Sequence, residues 1–379
     1  MSFDLILRGG RVLDPSQGLD AQLDVAFSEG RVAALGPDLA PNDDAKVVDA
    51  RGLIVTPGLI DLHTHVYDGG TSLGVDPLAL MRHGATTTLV DAGSAGPGNF
   101  RGFRDHVIRR APVRILAYLH VSFAGIYGFS KTIMVGESSD MRLMAPRETV
   151  AMVRDNPDEI CGIKVRVGKN ASGYSGLAPL QIAVEAAREA DCPLMVHIDE
   201  PPPMLEDVLA LLRPGDVLTH AFRPFPNSPA TADGKVHPYV LKARERGVLF
   251  DIGHGMGSFS FKVGRAMLAN GFMPDCISSD VHALCIDGPA FDLITTMSKF
   301  LSIGMPLADV VRCATSEPAR ALRRPELGAL KPGGPGDASL LRREQGAFEF
   351  VDSIGERLTG RDRLAPVGVV RAGVHTACA

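Results

Sequence analysis

Eight short apolar runs, spread over most of the chain, constrain the fold more than any other feature of the sequence. The segments between them place apolar residues at helical spacing, as in 178–190, 204–212 and 236–246. Strand-like runs that alternate with helical segments are typical of βαβ units and a parallel sheet. Eight such units predict a (β/α)8 TIM barrel within a mixed α/β fold. The runs are 54–62, 86–91, 113–120, 160–167, 193–199, 216–221, 248–253 and 275–281.

The two ends of the chain differ from this middle part, because their short apolar stretches are separated by Gly, Pro and Asp. We therefore expect both ends to form one β module. An open doubly wound sheet is the rival topology for the middle, but it requires a Gly-rich turn after its first strand, and HTHVYDGG is not GxGxxG. The terminal stretches are 3–8, 11–13, 23–28, 31–35, 337–341, 347–352 and 367–371.

Charge and cysteine content exclude several classes of protein. The 39 Lys and Arg against 44 Asp and Glu give a formal charge of −5, so no basic excess favours a nucleic acid or an anionic membrane as partner. Asp4 replaces the cationic start of a signal peptide, and no apolar run has the length of a membrane span. The six cysteines are scattered and lack CxxC spacing. We therefore expect a cytoplasmic protein that acts on a small-molecule substrate.

The strongest local signal is His63-Thr64-His65, directly after the apolar run IVTPGLIDL. In a strand, residues i and i+2 face the same side, so both imidazoles would point to one place. Two neutral imidazoles suit a divalent metal such as zinc. Two structural histidines held by hydrogen bonds are the alternative at this motif.

Further ligand types lie at the ends of later strand runs. In a barrel these ends converge on one face, so residues far apart in sequence would meet there. A buried lysine needs either a carboxylate partner or a chemical change such as carboxylation by CO2. For an aspartate in a Ser-Ser-Asp turn, capping of a helix is the alternative. These four residues are Lys164, His197, His220 and Asp280.

In this order the motifs resemble the amidohydrolase superfamily of metal-dependent hydrolases, and the resemblance covers the whole chain. It implies a TIM barrel over 54–329 and a small β-sandwich domain built from 1–53 plus 330–379. It also implies two divalent metal ions, most simply Zn²⁺. The implied ligands are His63, His65 and Asp280 for one ion, His197 and His220 for the other, and carboxylated Lys164 as the bridge.

Within the superfamily the chain is most similar to the dihydroorotase-like branch, and there to amidohydrolases and deacetylases with HxHVYxG after the first strand and DxGHG later. The matching segments are 63–69 and 251–255. Dihydroorotases usually carry HxHxR, whose arginine holds the substrate carboxylate, whereas this chain has Tyr67 at that place. The resemblance therefore argues against dihydroorotate itself as the substrate.

Four further side chains are candidates for contact with the substrate. Arg166 lies two residues after Lys164 and could bind a substrate carboxylate, or instead pair with a protein carboxylate. Tyr67, His254 and His282 lie beside predicted strand ends and could hydrogen-bond the tetrahedral intermediate or the leaving group. A hydrogen-bonded structural role is the alternative for His254.

The metals predict the mechanism. Two cations that share a bridging water lower its pKa toward neutrality, and Asp280 could accept the proton and pass it to the leaving group. The sequence thus predicts hydrolysis of an amide or ester acyl group, such as acetyl, in a small carboxylate-bearing substrate. A cyclic-amide hydrolase is the alternative enzyme, and a catalytically silent scaffold is the alternative class. A homo-oligomer is expected only from the family.

Overall fold

The computed structural model describes residues 2–378. Its strands fall into two large sheets and one short hairpin, β9 with β10. The strands are β1 (Leu5–Asp14), β2 (Leu19–Ser28), β3 (Arg31–Gly36), β4 (Lys46–Asp49), β5 (Ile54–Pro57), β6 (Leu59–Thr64), β7 (Thr86–Ala92), β8 (Arg114–His120), β9 (Gly128–Phe129), β10 (Met134–Val135), β11 (Ile160–Val167), β12 (Leu194–Ile198), β13 (Val217–Leu218), β14 (Leu249–Phe250), β15 (Ala338–Val351), β16 (Arg357–Arg371) and β17 (Val374–Ala377).

The helices lie mainly between the strands of the middle part, and α4, α5 and α6 confirm the three helical segments predicted from apolar spacing. They are α1 (Pro77–Gly84), α2 (Phe100–His106), α3 (Pro146–Asp155), α4 (Ala178–Glu189), α5 (Leu205–Leu211), α6 (Pro238–Glu245), α7 (Phe261–Ala269), α8 (Leu293–Ser302), α9 (Leu307–Arg312) and α10 (Ser316–Ala321). In α4, for example, Leu180, Ala183, Val184 and Ala187 form the buried face. Within residues 2–378, no helix has both the length and the apolarity needed to cross a bilayer.

The middle of the chain forms a curled parallel sheet of seven strands, in the order β14-β13-β12-β11-β8-β7-β6. The eighth predicted run, 275–281, is not a continuous strand. It joins the sheet through two parallel bridges, Asp251 with Cys276 on one side and Thr64 with Val281 on the other. The reason is local, because Asp280 has a φ of 49° and interrupts the extended conformation.

The predicted strand 54–62 is two strands, β5 and β6, which belong to different sheets. The chain passes between the sheets at Gly58, where a Cβ would lie 2.1 Å from Oγ1 of Thr87. Only glycine therefore fits at this crossing. β5 pairs with β1 and β15 instead of with the parallel sheet.

Both ends of the chain contribute to one large sheet, as the terminal apolar stretches predicted. Its order is β17-β16-β15-β5-β1-β2-β3, with β4 also paired to β1. The two-layer β-sandwich is not confirmed, because the terminal strands are joined by hydrogen bonds into a single sheet of eight strands. Buried Leu, Val and Phe side chains from both ends, such as Leu7, Phe27 and Leu340, form its core.

Candidate metal centre and active site

Three buried side chains meet where β6 ends. The Nε2 atoms of His63 and His65 lie 3.1 and 3.3 Å from Oδ1 of Asp280. One ligand atom from each residue lies within 4.8 Å of the other two. Two imidazoles and a carboxylate are a donor set that suits a divalent ion such as zinc. We refer to His63, His65 and Asp280 as the first ligand group.

Hydrogen bonds behind His63 turn its free nitrogen toward Asp280. Thr219 donates from its hydroxyl to the carboxylate of Asp251 at 2.7 Å, so the hydroxyl oxygen accepts from Nδ1 of His63 at 2.8 Å. Nδ1 therefore carries a ring proton, and Nε2 faces the carboxylate oxygen of Asp280. Although burial opposes the charge, Asp280 raises the pKa of His63 above its ordinary value. A proton on Nε2 can join these two atoms, and a divalent ion can take the place of that proton. The first ligand group therefore fits a metal ion.

Backbone and side-chain contacts hold Asp280 in place. Its N–H donates to the carbonyl of His63 at 2.7 Å. The preceding Ser279 donates to the carboxylate of Asp61 from its backbone N–H at 2.9 Å and from its hydroxyl at 2.5 Å. A Cβ at Gly255 would lie 2.1 Å from Oδ2 of Asp280, so glycine leaves room for the carboxylate. Although burial opposes ionisation, the charge of His63 holds the pKa of Asp280 well below its ordinary value.

A second pair of histidines comes from the ends of β12 and β13. Nδ1 of His197 lies 2.7 Å from Nε2 of His220. His220 donates from Nδ1 to the carbonyl of Gly253 at 2.7 Å, so its Nε2 has a lone pair. Burial lowers the pKa of both histidines well below the ordinary value, which leaves the neutral rings that bind metals.

Lys164 lines the same small cavity as His197 and the first ligand group. Its Nζ is buried without a hydrogen-bond partner in residues 2–378, and no carboxylate forms the predicted alternative salt bridge with it there. Burial lowers the pKa of Lys164 to about 7 although Asp280 opposes the shift. An ammonium cannot bind a cation, so this lysine fits a metal site only after a change at Nζ. We refer to His197, His220 and Lys164 as the second ligand group.

Relatives match this chain over most of its length. No family model matches it. A deacetylase of Agrobacterium fabrum is 36% identical over 328 residues, which are 86% of this chain and 80% of the relative. The crystal structure of a dihydroorotase has a TM-score of 0.90 at 33% identity and covers 98% of both chains. The crystal structure of an adenine deaminase has a TM-score of 0.92 at 27% identity, covering 99% of this chain and 100% of that chain.

This chain belongs to the amidohydrolase superfamily. The family predicted from the motifs is thereby confirmed, and with it the prediction of a metal-dependent hydrolase instead of a silent scaffold. The curled parallel sheet with the candidate metal site at its carboxyl edge matches the fold of these relatives.

Two of the predicted substrate residues of this amidohydrolase reach the metal site. Arg166 and His282 line a cavity of about 220 Å³ together with His197 and Asp280. Nδ1 of His282 accepts from the N–H of Leu284 at 3.2 Å, which leaves the ring proton on Nε2. Burial lowers the pKa of His282 to about 4, so the ring is neutral. His282 can therefore donate one hydrogen bond from Nε2.

The other two predicted substrate residues lie elsewhere. β6 ends at Thr64, so its alternation does not carry Tyr67 to the site. The Tyr67 ring stacks on Phe103 at 4.7 Å, and its hydroxyl donates to a backbone carbonyl at 3.3 Å. His254 donates to the carbonyl of the next residue and accepts from Nζ of Lys299 at 2.8 Å. Neither side chain lines the cavity in the described chain, so the geometry does not support their predicted contact with substrate.

Sequence reasoning missed charged residues that come from loops. Glu137 is buried in the loop 122–143, where it accepts from Nε2 of His120 at 3.1 Å and lies 3.5 Å from Arg166. Although burial opposes ionisation, Arg166 holds the pKa of Glu137 below its ordinary value. Arg223 lies three residues after His220 and lines the same cavity as Arg166. Its position after a strand end could have predicted a place in the site, because loops after the strands of a parallel sheet carry site residues.

Proposed function

We propose that this amidohydrolase removes an acyl group, such as acetyl, from a small carboxylate-bearing substrate by hydrolysis of an amide or ester bond. The observation that carries the proposal is that five of the six predicted ligand residues line one cavity with Arg166 and His282. The sixth, His220, contacts His197 at 2.7 Å. The 36% identity to a deacetylase supports acyl transfer to water as the reaction.

We further propose that two divalent ions, most simply Zn²⁺, bind at the two ligand groups. The first ligand group would hold one ion, and His197 and His220 the other. Lys164, carboxylated by CO2, would bridge them, and its buried amine without a partner fits that change. When bound, such ions lower the pKa of water and polarise a carbonyl oxygen.

The chain's own residues supply proton transfer and orientation. Asp280 keeps its charge in the cavity, and its Oδ2, which faces Gly255, is free to accept a proton and return it to the leaving group. His282 donates from Nε2 toward the developing oxyanion. Arg166, whose position Glu137 fixes at 3.5 Å, would contribute to binding of the substrate carboxylate.

Hydrolysis of a cyclic amide, such as a dihydroorotate-, hydantoin- or dihydropyrimidine-like ring, is the second candidate. The 33% identity to a dihydroorotase over 98% of both chains favours it. Against dihydroorotate stands Tyr67, which replaces the expected arginine and packs on Phe103 away from the cavity.

Metal analysis followed by a substrate screen tests the proposal. We expect about two ions per chain after reconstitution with Zn²⁺, and hydrolysis of N-acyl or O-acyl carboxylates. The matched control is the same preparation after removal of metal with a chelator. Full activity in the stripped protein would overturn the metal-dependent mechanism, whereas opening of ring amides alone would favour the second candidate.

We also propose the finer architecture implied by the family. In this proposal 275–281, bridged on both sides, completes an eight-stranded barrel over 54–329, and 1–53 with 330–379 form a small β-sandwich domain. β5 would belong with the terminal sheet.

We also propose a cytoplasmic location and a homo-oligomer. Cell fractionation tests the location, and sedimentation of the native protein tests the oligomeric state.

A further inference from the structure

Arg223 is a buried arginine on the wall of the active-site cavity. It follows β13 in the segment His-Ala-Phe-Arg, and it is 8% exposed. Arg166, His197, Asp280 and His282 line the same cavity of about 220 Å³. Arg166 is 7% exposed, so two buried guanidinium groups face one small space beside the ligand groups.

The charge of Arg223 is poorly compensated by the protein. Its Nη1 donates to the carbonyl of Ile198, while its Nε has no acceptor in the described part of the chain. Within residues 2–378 no carboxylate forms an ion pair with it, and only the more distant Asp199 and Glu200 act on its charge. Asp199 is engaged elsewhere, since it accepts from two backbone N–H groups of the loop after β11.

Nε of Arg166 is likewise buried without a partner in residues 2–378, but the charge of Arg166 is compensated. Its guanidinium lies 3.5 Å from the carboxylate of Glu137 and 5.2 Å from the ring centroid of Phe129. Arg166 therefore has a counter-charge inside the protein, whereas Arg223 has none within ion-pair distance. A buried cation without a partner is costly, and an arginine cannot escape the cost by losing its proton.

We propose that Arg223 is the principal binding residue for the carboxylate of the substrate, with Arg166 as its neighbour in the same cavity. This inference rests on the proposed function and extends it, because it names the residue that selects anionic acyl compounds. The planar guanidinium suits a carboxylate, and no acceptor among residues 2–378 competes for its Nε. Carboxylate binding beside Asp280 and His282 would place the acyl group at the reacting centre.

Binding of simple carboxylates tests the proposal without knowledge of the natural substrate. Acetate, benzoate and phenylacetate are titrated calorimetrically into the zinc-loaded parent and into Arg223→Met, which keeps the length of the stem and removes the charge. We expect the affinity of the best of these anions to fall about 10- to 100-fold in the variant, as for loss of a charged hydrogen bond. Arg223→Lys should bind with intermediate affinity.

The control is Arg188→Met, which removes an exposed arginine from α4 that pairs with Glu185. It should bind the anions as the parent does. Melting temperatures of all variants show whether they fold, and Arg223→Lys tests the proposal if Arg223→Met does not. Equal affinity of the parent and both Arg223 variants would overturn the proposal, as would the absence of anion binding by the parent. A carboxylate held by the metal alone would give that equal affinity.

A second measurement separates this proposal from the proposed function. The parent and Arg223→Met are compared on p-nitrophenyl acetate, which has no carboxylate, and on the best N-acetyl amino acid from a panel together with its carboxamide. We expect the variant to raise KM for the acid by at least about tenfold more than it changes KM for the carboxamide or the neutral ester. A parent that binds benzoate through Arg223 but hydrolyses none of these compounds would contradict the proposed function only. A parent that hydrolyses them, with an equal loss for acid and carboxamide in the variant, would contradict the role of Arg223 only.

Discussion

The two ligand groups differ in how far the polypeptide prepares them for an ion. In the first ligand group, Thr219 and Ser94 support the two histidines from behind, at 2.8 Å for His63 and 2.9 Å for His65. Both rings aim Nε2 at one oxygen of Asp280. This group therefore holds two imidazoles and a carboxylate with one ligand atom of each within 4.8 Å of the others.

The second ligand group contains one side chain, Lys164, that is not a metal ligand in its unmodified, protonated form. His197 and His220 face each other at 2.7 Å, but the third member, Lys164, offers a buried amine without a partner. The two groups share one trait, a strained ligand backbone, since Asp280 has a φ of 49° and His220 a φ of 65°. In the proposed two-ion site, one ion would therefore depend on the fold alone and the other on carboxylation of Lys164.

Asp280→Asn should produce the largest effect, because it removes both a ligand of the first group and the proposed proton acceptor. We expect kcat to fall by about 100- to 10,000-fold, the range for loss of general acid and base catalysis. The measurement is kcat of the zinc-reconstituted variant on the best substrate of the screen. Asp233→Asn, which changes an exposed carboxylate, should leave kcat unchanged. Activity of Asp280→Asn within tenfold of the parent would refute its role as proton acceptor.

Lys164→Ala should distinguish the two groups most directly. We expect metal content to fall from about two ions per chain to about one, and activity to fall by roughly 100-fold, because the bridge is lost. Added formate or acetate should restore part of both, since a free carboxylate can occupy the vacated space. His63→Ala is the comparison from the first ligand group, and its loss should not be rescued by these acids. Two ions per chain in Lys164→Ala would contradict the bridging role.

Asp251→Asn should weaken the first ligand group through its support. Asp251 is fully buried, accepts from Thr219 at 2.7 Å, and so fixes the proton of His63 on Nδ1. We expect the affinity for the ion of the first ligand group to fall by about 10- to 100-fold, as is typical when a hydrogen-bond partner of a metal ligand is lost. Zinc competition against a chromophoric chelator measures this. Ser94→Ala provides the matched change behind His65, and an unaltered affinity in both variants would show that these hydrogen bonds do not orient the ligands.

The convergence of the candidate ligands was predictable because their positions follow a rule that the sequence displays. Each lies at or just after an apolar run, and the carboxyl ends of parallel strands share one edge of the sheet. The seven strands of the parallel sheet confirm seven of the eight runs at least in part. The structure also brings His63, His65 and Asp280 within bonding range of one ion, although Asp280 lies at least 215 positions after the histidines.

The remaining features depend on contacts that no local pattern encodes. The break at Gly58 is set by Thr87 from another strand, and the interruption of 275–281 by the left-handed Asp280. Tyr67 was assigned to the site because it lies beside a predicted strand end, but β6 ends at Thr64 and the Tyr67 ring packs on Phe103. The position of Arg223 after β13 could have suggested a role, but only the folded chain determines the direction of this irregular segment.

Lys299→Met should change the metal affinities of the two ligand groups least differently, because Lys299 contacts neither group directly and acts on both through His254. Its Nζ donates a hydrogen bond to His254, which lies in the segment 251–255. The same segment contains Asp251, which supports His63 through Thr219, and Gly253, whose carbonyl accepts from His220. Any loss of metal should therefore affect both ions alike, in contrast to Asp251→Asn. A selective loss of one ion would show that the 251–255 segment serves only one group.

The same variant has a distinct dependence of stability on pH. Burial lowers the pKa of Lys299 from 10.5 to about 7, although Asp292, Asp352 and Cys285 oppose the shift. Nζ of Lys299 donates a hydrogen bond to His254. Between these values the folded chain binds fewer protons than the unfolded chain, so this group makes the parent more stable as pH rises from about 7 toward 10. Lys299→Met lacks that gain. Melting temperatures of both zinc-loaded proteins at pH 7 and pH 9 should therefore show a more favourable change for the parent, and parallel changes would show that Lys299 titrates normally.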